Sequence, residues 1–147
     1  MESRFMTRAL ELAKQAADLG EVPVGAVVVK NGQIIGEGYN MREQKCNALS
    51  HAETEAINNA CKALGDWRLD DCTIYVTLEP CPMCAGAIIN ARIKEVVFGA
   101  YDRTMGCLDS VTNLMALPFA NNTVVYGGIR EDECKQILTD FFQNVRK

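Results

Sequence analysis

Two spacings of apolar residues alternate along the chain and predict a mixed α/β architecture. Helical spacing or helix-favouring composition predicts four helices, at residues 3–19, about 51–64, 81–92 and 131–145. Short β-branched or apolar runs predict five strands, at residues 24–30, 33–39, 73–78, 95–100 and 123–126. Because helices alternate with strands after an opening hairpin, we expect a three-layer α/β/α sandwich around a central five-stranded mixed sheet.

Turn and capping residues mark the ends of these elements. Asn31-Gly32 is the kind of dipeptide that closes a tight β-hairpin, and Gly20 and Gly65 each end a predicted helix. Ser50, with Glu53 three residues later, predicts a capping box at the start of the second helix. The closing helix is expected to turn a row of apolar residues inward, namely Cys134, Ile137, Leu138, Phe141 and Phe142.

Length and composition narrow the class of protein. A chain of 147 residues with 48% hydrophobic and 23% charged residues is expected to fold as one domain over residues 1–147, and this composition excludes an intrinsically disordered chain. Its apolar runs are too short to cross a bilayer and its first residues lack the order of a signal peptide, so we expect a cytoplasmic protein without membrane contact. In that setting seven cysteines are thiols or metal ligands rather than a disulfide framework.

The charge balance limits how the protein can bind nucleic acid. Lysine and arginine number 15 against 19 acidic residues, which gives a net charge of −4. This excludes binding through an overall positive charge, so any contact with nucleic acid must be local. The candidates for a local basic rim are Arg42, Lys45, Arg92, Arg103, Arg146 and Lys147.

Two short segments carry candidate chemistry, and each lies where a helix is predicted to begin. Cys81 and Cys84 are three residues apart, so both thiols share one helix face and can bind the same metal ion. Together with His51, the single histidine, they form a three-ligand set typical of catalytic zinc, which leaves a fourth position for water. Glu53, two residues after His51, is placed to take a proton from that water.

Other interpretations of these residues remain open. A structural zinc site could be completed by Cys107 or Cys46 as the fourth ligand, and a lone Cys-x-x-Cys pair can be redox-active or occur by chance. A zinc-stabilised binding module without turnover is the alternative from another class of function. The combination of both segments, with Pro80 before the first cysteine and Glu53 after the histidine, favours the catalytic site.

The His-Ala-Glu and Pro-Cys-x-x-Cys segments resemble the signature of zinc-dependent nucleobase deaminases. Further segments make nearly the whole chain similar to the tRNA-specific adenosine deaminase family: residues 21–26 (EVPVGA), 38–40 (GYN), 67–69 (WRL), 75–87 (YVTLEPCPMCAGA), 97–100 (VFGA) and 140–142 (DFF). This resemblance implies a cytidine-deaminase-like fold and about one Zn²⁺ per chain, held by His51, Cys81 and Cys84. It also implies that Glu53 is the proton shuttle.

The resemblance implies the substrate and the assembly as well. The expected reaction converts the adenosine at the wobble position of a tRNA anticodon to inosine, by attack of activated water on C6 of adenine. Asn40 would hydrogen-bond the flipped base and Val24 would pack against it. Ala52 and Asp102 are further candidate substrate contacts. The family forms a homodimer that places the anticodon loop across both subunits.

Several loops depart from the family pattern at positions that contact RNA in its members. The departures are residues 47–50 (NALS) before the histidine, Arg103-Thr104 after Asp102, Asp109 before Ser110, and Asn121-Asn122 near the fifth strand. They leave the candidate catalytic residues intact. The alternative substrate is therefore a free nucleobase or nucleoside, such as guanine or cytosine, deaminated by the same zinc mechanism.

Overall fold

The computed structural model describes residues 2–145 of the chain. Within them the helices are α1 (Ser3–Asp18), α2 (Ala52–Leu64), α3 (Pro82–Asn90) and α4 (Glu131–Val145). The strands are β1 (Gly25–Lys30), β2 (Gln33–Tyr39), β3 (Cys72–Leu78), β4 (Glu95–Ala100) and β5 (Val124–Tyr126), and a 3-10 turn spans Leu114–Ala116. None of the helices in this part of the chain has the length and hydropathy that a membrane-spanning segment needs.

The strands form one mixed sheet in the order β2-β1-β3-β4-β5. Strand β1 pairs antiparallel with β2 and β3, whereas the β3–β4 and β4–β5 pairs are parallel. The β1–β2 hairpin closes through Asn31-Gly32, whose φ angles of 51° and 74° are those that such a tight turn requires. Helices α2 and α3 pack on one face of the sheet, and α1 and α4 pack on the other. The predicted three-layer sandwich with a five-stranded mixed sheet is confirmed.

Strand β1 shows why the central strands are apolar on both sides. Ala26 and Val28 belong to the core beneath α2 and α3, whereas Val27 and Val29 belong to the core beneath α1. A strand that is covered on both faces shows a continuous apolar run rather than an alternating one. One apolar core therefore holds the site-bearing helices α2 and α3 against the sheet, and a second core supports its opposite face.

Two glycines of β2 bring α2 close to the sheet. A Cβ atom at Gly36 would collide with the backbone of Ala56, and a Cβ atom at Gly38 would collide with the backbone of Ala52. Only a residue without a side chain permits this approach. Since α2 begins at Ala52, the contact fixes the position of the helix N-terminus, next to the candidate histidine.

The start of α2 differs from the sequence prediction. His51, not Ser50, is the N-cap residue, and its N–H donates to Oγ1 of Thr54 at 3.0 Å. The Ser50 hydroxyl donates instead to Glu55 at 2.8 Å. Glu53 is buried and takes no part in the cap. The predicted Ser50–Glu53 capping box is therefore wrong, because the helix starts one residue later than expected.

Two further details of the helices differ from expectation. Helix α3 ends at Asn90, before the predicted residue 92, because Arg92 takes up a left-handed φ of 64°. On α4, Phe142 is 44% exposed rather than directed inward. Helix α4 contacts the sheet mainly along β4, so only the side chains on that side are covered. Of the predicted inward row, Cys134 is buried, and three others are half-buried: Ile137, Leu138 and Phe141.

Candidate active site

The candidate metal ligands meet where two helices begin. His51 is the N-cap of α2, Cys81 is the N-cap of α3, and Cys84 lies in the first turn of α3. Nδ1 of His51 lies 3.7 Å from Sγ of Cys81 and 3.5 Å from Sγ of Cys84. All three ligand atoms lie within 4.8 Å of one another, a spacing that can hold one metal ion. The fold thus joins two segments that are 30 residues apart in the sequence.

The electrostatics of these groups suit a metal that binds thiolates. A hydrogen bond from the Cys84 thiol, together with the adjacent His51 ring, lowers the pKa of Cys81 to about 4. The same hydrogen bond, together with burial, raises the pKa of Cys84. The hydrogen bond to Cys81 raises the pKa of His51. A metal ion binds the deprotonated forms of these ligands and releases their protons, so its affinity will depend on pH.

Neither cysteine of the structural-zinc alternative belongs to this group. Cys46 is exposed in the loop after β2. The Cys107 thiol donates a hydrogen bond to the carbonyl oxygen of Met105 at 3.5 Å. The described residues therefore bring together three ligands rather than four, which is typical of a catalytic metal centre.

Glu53 is enclosed by protein beside the three ligands. The residue is only 4% exposed. Burial raises the pKa of its carboxyl to about 7, although its own backbone N–H favours the charged form. The neighbouring His51 ring and Cys84 thiol also favour the charged form of this carboxyl, and Glu53 lines the same cavity as His51 and Cys81. A carboxyl that titrates near neutral pH can both accept and release a proton.

A cavity of about 250 Å³ opens onto these groups. Its lining residues are Glu21, Val22, Val24, Asn40, Arg42, His51, Glu53, Leu78, Glu79, Cys81, Asp102 and Met105. Cavities for drug-sized ligands measure roughly 300–1,000 Å³, so this one fits a small group such as a single nucleobase. Cys84 and Ala52 are buried and do not contribute to the lining. A wider surface depression of about 550 Å³ beside Arg8 and Glu37 contains none of these groups.

Asn40 ties the end of β2 to the start of α2. Its Oδ1 accepts a hydrogen bond from the Ala52 N–H at 2.8 Å, and its Nδ2 donates to the Val22 carbonyl oxygen at 3.0 Å. The first of these bonds satisfies one of the free N–H groups at the start of α2. A side-chain amide has two hydrogens and two oxygen lone pairs, so one of each is left over by these two bonds, and Asn40 lines the cavity. Ala52 acts here through its backbone alone.

Asp102 builds the turn in which it lies. Its Oδ1 accepts hydrogen bonds from the N–H and hydroxyl of Thr104, at 3.1 and 2.9 Å, and from the N–H of Met105 at 3.1 Å. These contacts are those of a loop-capping aspartate. The same residue also lines the cavity, as does Val24 at the entry to β1. Of the four candidate substrate contacts, Val24, Asn40 and Asp102 thus line the cavity, and Ala52 is buried behind its surface.

The cavity lining also contains two buried carboxylates, Glu21 and Glu79, that the sequence motifs do not single out. Glu79, 2% exposed, accepts four backbone hydrogen bonds from Asp102, Leu108, Asp109 and Ser110, as well as one from the Ser110 hydroxyl. Glu21, also 2% exposed, accepts two, from the N–H groups of Glu43 and Gln44. Burial alone would raise the pKa of Glu79, but its hydrogen bonds lower it overall. The sequence signal that could have identified Glu79 is its position directly after a predicted buried strand.

The candidate basic residues do not form one continuous rim. Arg42 lines the cavity, and Arg103 is exposed in the loop after Asp102. Lys45 forms an ion pair with Glu55 at 2.7 Å, and the Arg92 guanidinium lies 5.8 Å from the centre of the Trp67 ring. Arg146 and Lys147 lie outside the described residues.

Known proteins resemble this chain along most of its length. The sequence profile of the MafB19-like deaminase family matches residues 2–146. The tRNA-specific adenosine deaminase of Bacillus subtilis (strain 168) is 48% identical over 144 residues, which are 97% of this chain and 89% of that protein. A solved structure from a study of A-to-I editing by tRNA:A34 deaminases superposes with a TM-score of 0.90 at 40% identity, over 93% of this chain and 100% of that one. A guanine deaminase from Bacillus subtilis has a TM-score of 0.65 at 46% identity, over 69% of this chain and 65% of that one.

Proposed function

The chain belongs to the family of tRNA-specific adenosine deaminases, and we propose that it hydrolyses the adenosine at the wobble position of a tRNA anticodon to inosine and ammonia. The observation that carries this proposal is the meeting of His51, Cys81 and Cys84 with the buried Glu53 at one small cavity. Three metal ligands, a carboxyl group and space for one base are the parts that a hydrolytic deaminase needs.

The metal in this proposal is zinc, with about one ion per chain held by His51, Cys81 and Cys84. Two thiols and an imidazole are ligands that suit zinc. Both helix N-termini support the assignment, because their partial positive charge favours thiolates. When bound there, zinc acts as a Lewis acid and lowers the pKa of a water molecule to about 7.

Glu53 is the proposed proton shuttle. Its carboxylate takes a proton from the water whose oxygen forms a bond to C6 of adenine, and delivers that proton to N1 of the ring. In a second transfer, Glu53 moves the remaining proton of the resulting hydroxyl group to the 6-amino group, so that the C6–N bond breaks, ammonia leaves and the oxygen remains as the inosine carbonyl. Burial, which raises the pKa of Glu53 to about 7, supports a residue that must bind and release protons in turn.

The cavity walls supply the proposed contacts to the base. Val24 packs against the adenine ring, and Asn40 uses its remaining amide hydrogen and lone pair to bind the base edge. Ala52 contributes by orienting the Asn40 amide, and Asp102 holds the turn through which its loop lines the cavity. The adenine must leave its stack to enter, at a cost of a few kcal/mol in a duplex but of little in an anticodon loop.

We also propose that the protein is a homodimer. On α3, Met83, Gly86 and Ala87 are only partly covered, and with Phe119 they line a surface depression of about 510 Å³. Phe119 itself is 61% exposed. An exposed aromatic side chain beside small helix residues is typical of a surface that another chain covers. Sedimentation velocity should give a dimer for the wild type and a monomer for Phe119→Asp.

A reducing compartment such as the cytoplasm is the proposed location. All seven cysteines are unpaired in the structure, and two of them are the proposed zinc ligands. Thiol ligands are retained where glutathione and thioredoxin keep cysteines reduced, and an oxidising compartment would favour disulfides instead.

A substrate comparison tests the proposed function. The purified protein is incubated with a tRNA that has adenosine at the wobble position, with the same tRNA carrying guanosine there, and with free adenosine, guanine and cytosine. We expect ammonia and inosine from the first RNA, and little ammonia from the other four. Rapid deamination of a free base, with no inosine in the RNA, would contradict the tRNA assignment and support the nucleobase alternative.

A further inference from the structure

We propose that Glu79 is a positioning residue that holds the loop of residues 102–110 as the substrate-facing wall of the cavity, an inference that rests on the proposed function. Glu79 directly follows β3 and is 2% exposed. Its side chain lines the cavity together with Asp102 and Met105 from that loop. The residue therefore lies between the rigid sheet and a wall that has no regular secondary structure.

One carboxylate binds both ends of this loop. Oε1 of Glu79 accepts hydrogen bonds from the Asp102 N–H at 3.0 Å and from the Ser110 hydroxyl. Oε2 accepts from the N–H groups of Leu108, Asp109 and Ser110, at 3.2, 2.8 and 2.9 Å. The loop thus folds around a single side chain, with its first and last residues bonded to the same group.

The middle of the loop also depends on this carboxylate. A Cβ atom at Gly106 would collide with the carboxyl group of Glu79 and with the carbonyl oxygen of Asp102. The Gly106 N–H donates to that carbonyl oxygen at 2.8 Å, and the Gly106 carbonyl accepts from the Val111 N–H at 2.9 Å. A residue without a side chain lets the backbone wrap closely around the buried acid.

The negative charge of Glu79 is compensated by hydrogen bonds from the loop and not by a basic side chain. Among residues 2–145, no lysine or arginine forms an ion pair with it. Burying a carboxylate is costly unless hydrogen bonds compensate for the lost water, and here the compensation comes from donors of the loop and its ends. The buried charge and the folded loop therefore stabilise each other.

This arrangement determines where the wall lies relative to the reacting base. Asp102 and Met105 face the cavity, and the exposed Arg103 lies between them on the outer surface of the protein. A wall that contacts the substrate equally before and during the reaction contributes uniform binding, and loss of uniform binding raises KM with little change in kcat. Glu79 takes no part in the proton transfers assigned to Glu53, so its removal should weaken substrate binding more than it slows the chemical step.

The test compares Glu79→Gln with Glu95→Gln, a matched change in a partly exposed carboxylate at the start of β4. In Glu79→Gln, the amide oxygen can accept the hydrogen bonds on one side only, because the amide nitrogen is a donor. We expect amide hydrogen exchange within residues 102–110 to accelerate about tenfold or more, with α2 and α3 unchanged. We expect KM for tRNA to rise about tenfold or more with a smaller change in kcat, because at least two hydrogen bonds to the lost oxygen are removed. Zinc content should remain that of the wild type, and Glu95→Gln should match the wild type throughout.

Two results would overturn the inference: unchanged exchange of the loop in Glu79→Gln, or a loss in kcat with unchanged KM. If Glu79→Gln does not fold, Ser110→Ala replaces it, since it removes only the hydroxyl donor. This variant should raise loop exchange and KM about two- to fourfold, and no change in either would also overturn the proposal. A wild type that is inactive on tRNA would refute the proposed function, whereas the exchange measurement needs no substrate and still decides whether Glu79 holds the loop.

Discussion

The ligand group and the cavity rim are built in different ways. His51, Cys81, Cys84 and Glu53 come from two short segments, and each segment starts a helix that packs on the sheet. The rim consists of the loops of residues 41–50 and 101–113, whose positions depend on distant contacts. The comparison teaches that the candidate ligand group is encoded by local motifs, whereas the rim loops are held by long-range hydrogen bonds.

The same two regions differ in how much structural change they can absorb. The ligand group rests on two helices packed against the sheet, and α2 approaches the backbone of β2 almost directly, as the collisions expected at Gly36 and Gly38 show. The rim loops rest on single buried acids, Glu21 and Glu79. Changes to the first region should therefore abolish activity, while changes to the second should shift affinity and specificity.

Loss of a ligand should have the largest effect. Cys84→Ala removes one of three metal donors, so zinc content should fall far below one ion per chain and turnover should become undetectable. The free energy of unfolding should fall as well, because metal binding is coupled to folding. Metal analysis and urea unfolding measure both effects, and Cys46→Ala, an exposed cysteine outside the group, is the control. Full zinc occupancy in Cys84→Ala would refute the three-ligand assignment.

The second largest loss of activity is expected for Glu53→Gln, because this change removes a proton carrier and leaves the three metal ligands in place. General acid–base groups contribute about 10²–10⁴-fold to the rate, and Glu53 serves more than one transfer. We expect kcat to fall by roughly 10⁴-fold with zinc content and thermal stability close to the wild type. Single-turnover deamination of tRNA measures the loss. Retention of about a tenth of the activity would show that another group moves the proton.

Gly38→Ala should damage the chemistry through packing. The added Cβ would meet the backbone of Ala52 and force α2 away from β2. Overpacking of this kind costs about 1–3 kcal/mol of unfolding free energy, and turnover should fall with it because His51 and Glu53 move with the helix. Urea unfolding measures the first effect. Asn58→Ala, an exposed change on the same helix, should leave stability within about 0.5 kcal/mol of the wild type.

Reversal of a rim charge should have the smallest effect. Arg103→Glu changes an exposed side chain in the loop after Asp102, outside the ligand group. We expect tRNA affinity to fall severalfold at low salt with unchanged zinc content, and the slope of affinity against salt to become shallower by about one ion. Filter binding at several salt concentrations gives both quantities. Equal affinity and equal slope in the variant would show that Arg103 makes no phosphate contact.

Much of the architecture could be predicted from the sequence because its signals are local. All five predicted strands start and end within one residue of β1 to β5. Apolar spacing and turn residues act over a few positions, so they can be read without the tertiary structure. The capping pattern at Ser50 misled because its hydroxyl donates to Glu55, while Thr54 accepts the His51 N–H, so that α2 starts at Ala52.

The sequence by itself determined the α/β sandwich, the three candidate ligands and the carboxyl group beside them, because periodicity and helix-start motifs are short-range properties. The tertiary structure alone decided that the two segments meet within 4.8 Å, that Asn40 binds the N-terminus of α2, and that Lys45 pairs with Glu55. It also decided the placement of Glu21 and Glu79. A buried acid is stabilised by donors that lie up to 31 residues away in the chain, and no local pattern records which donors those are.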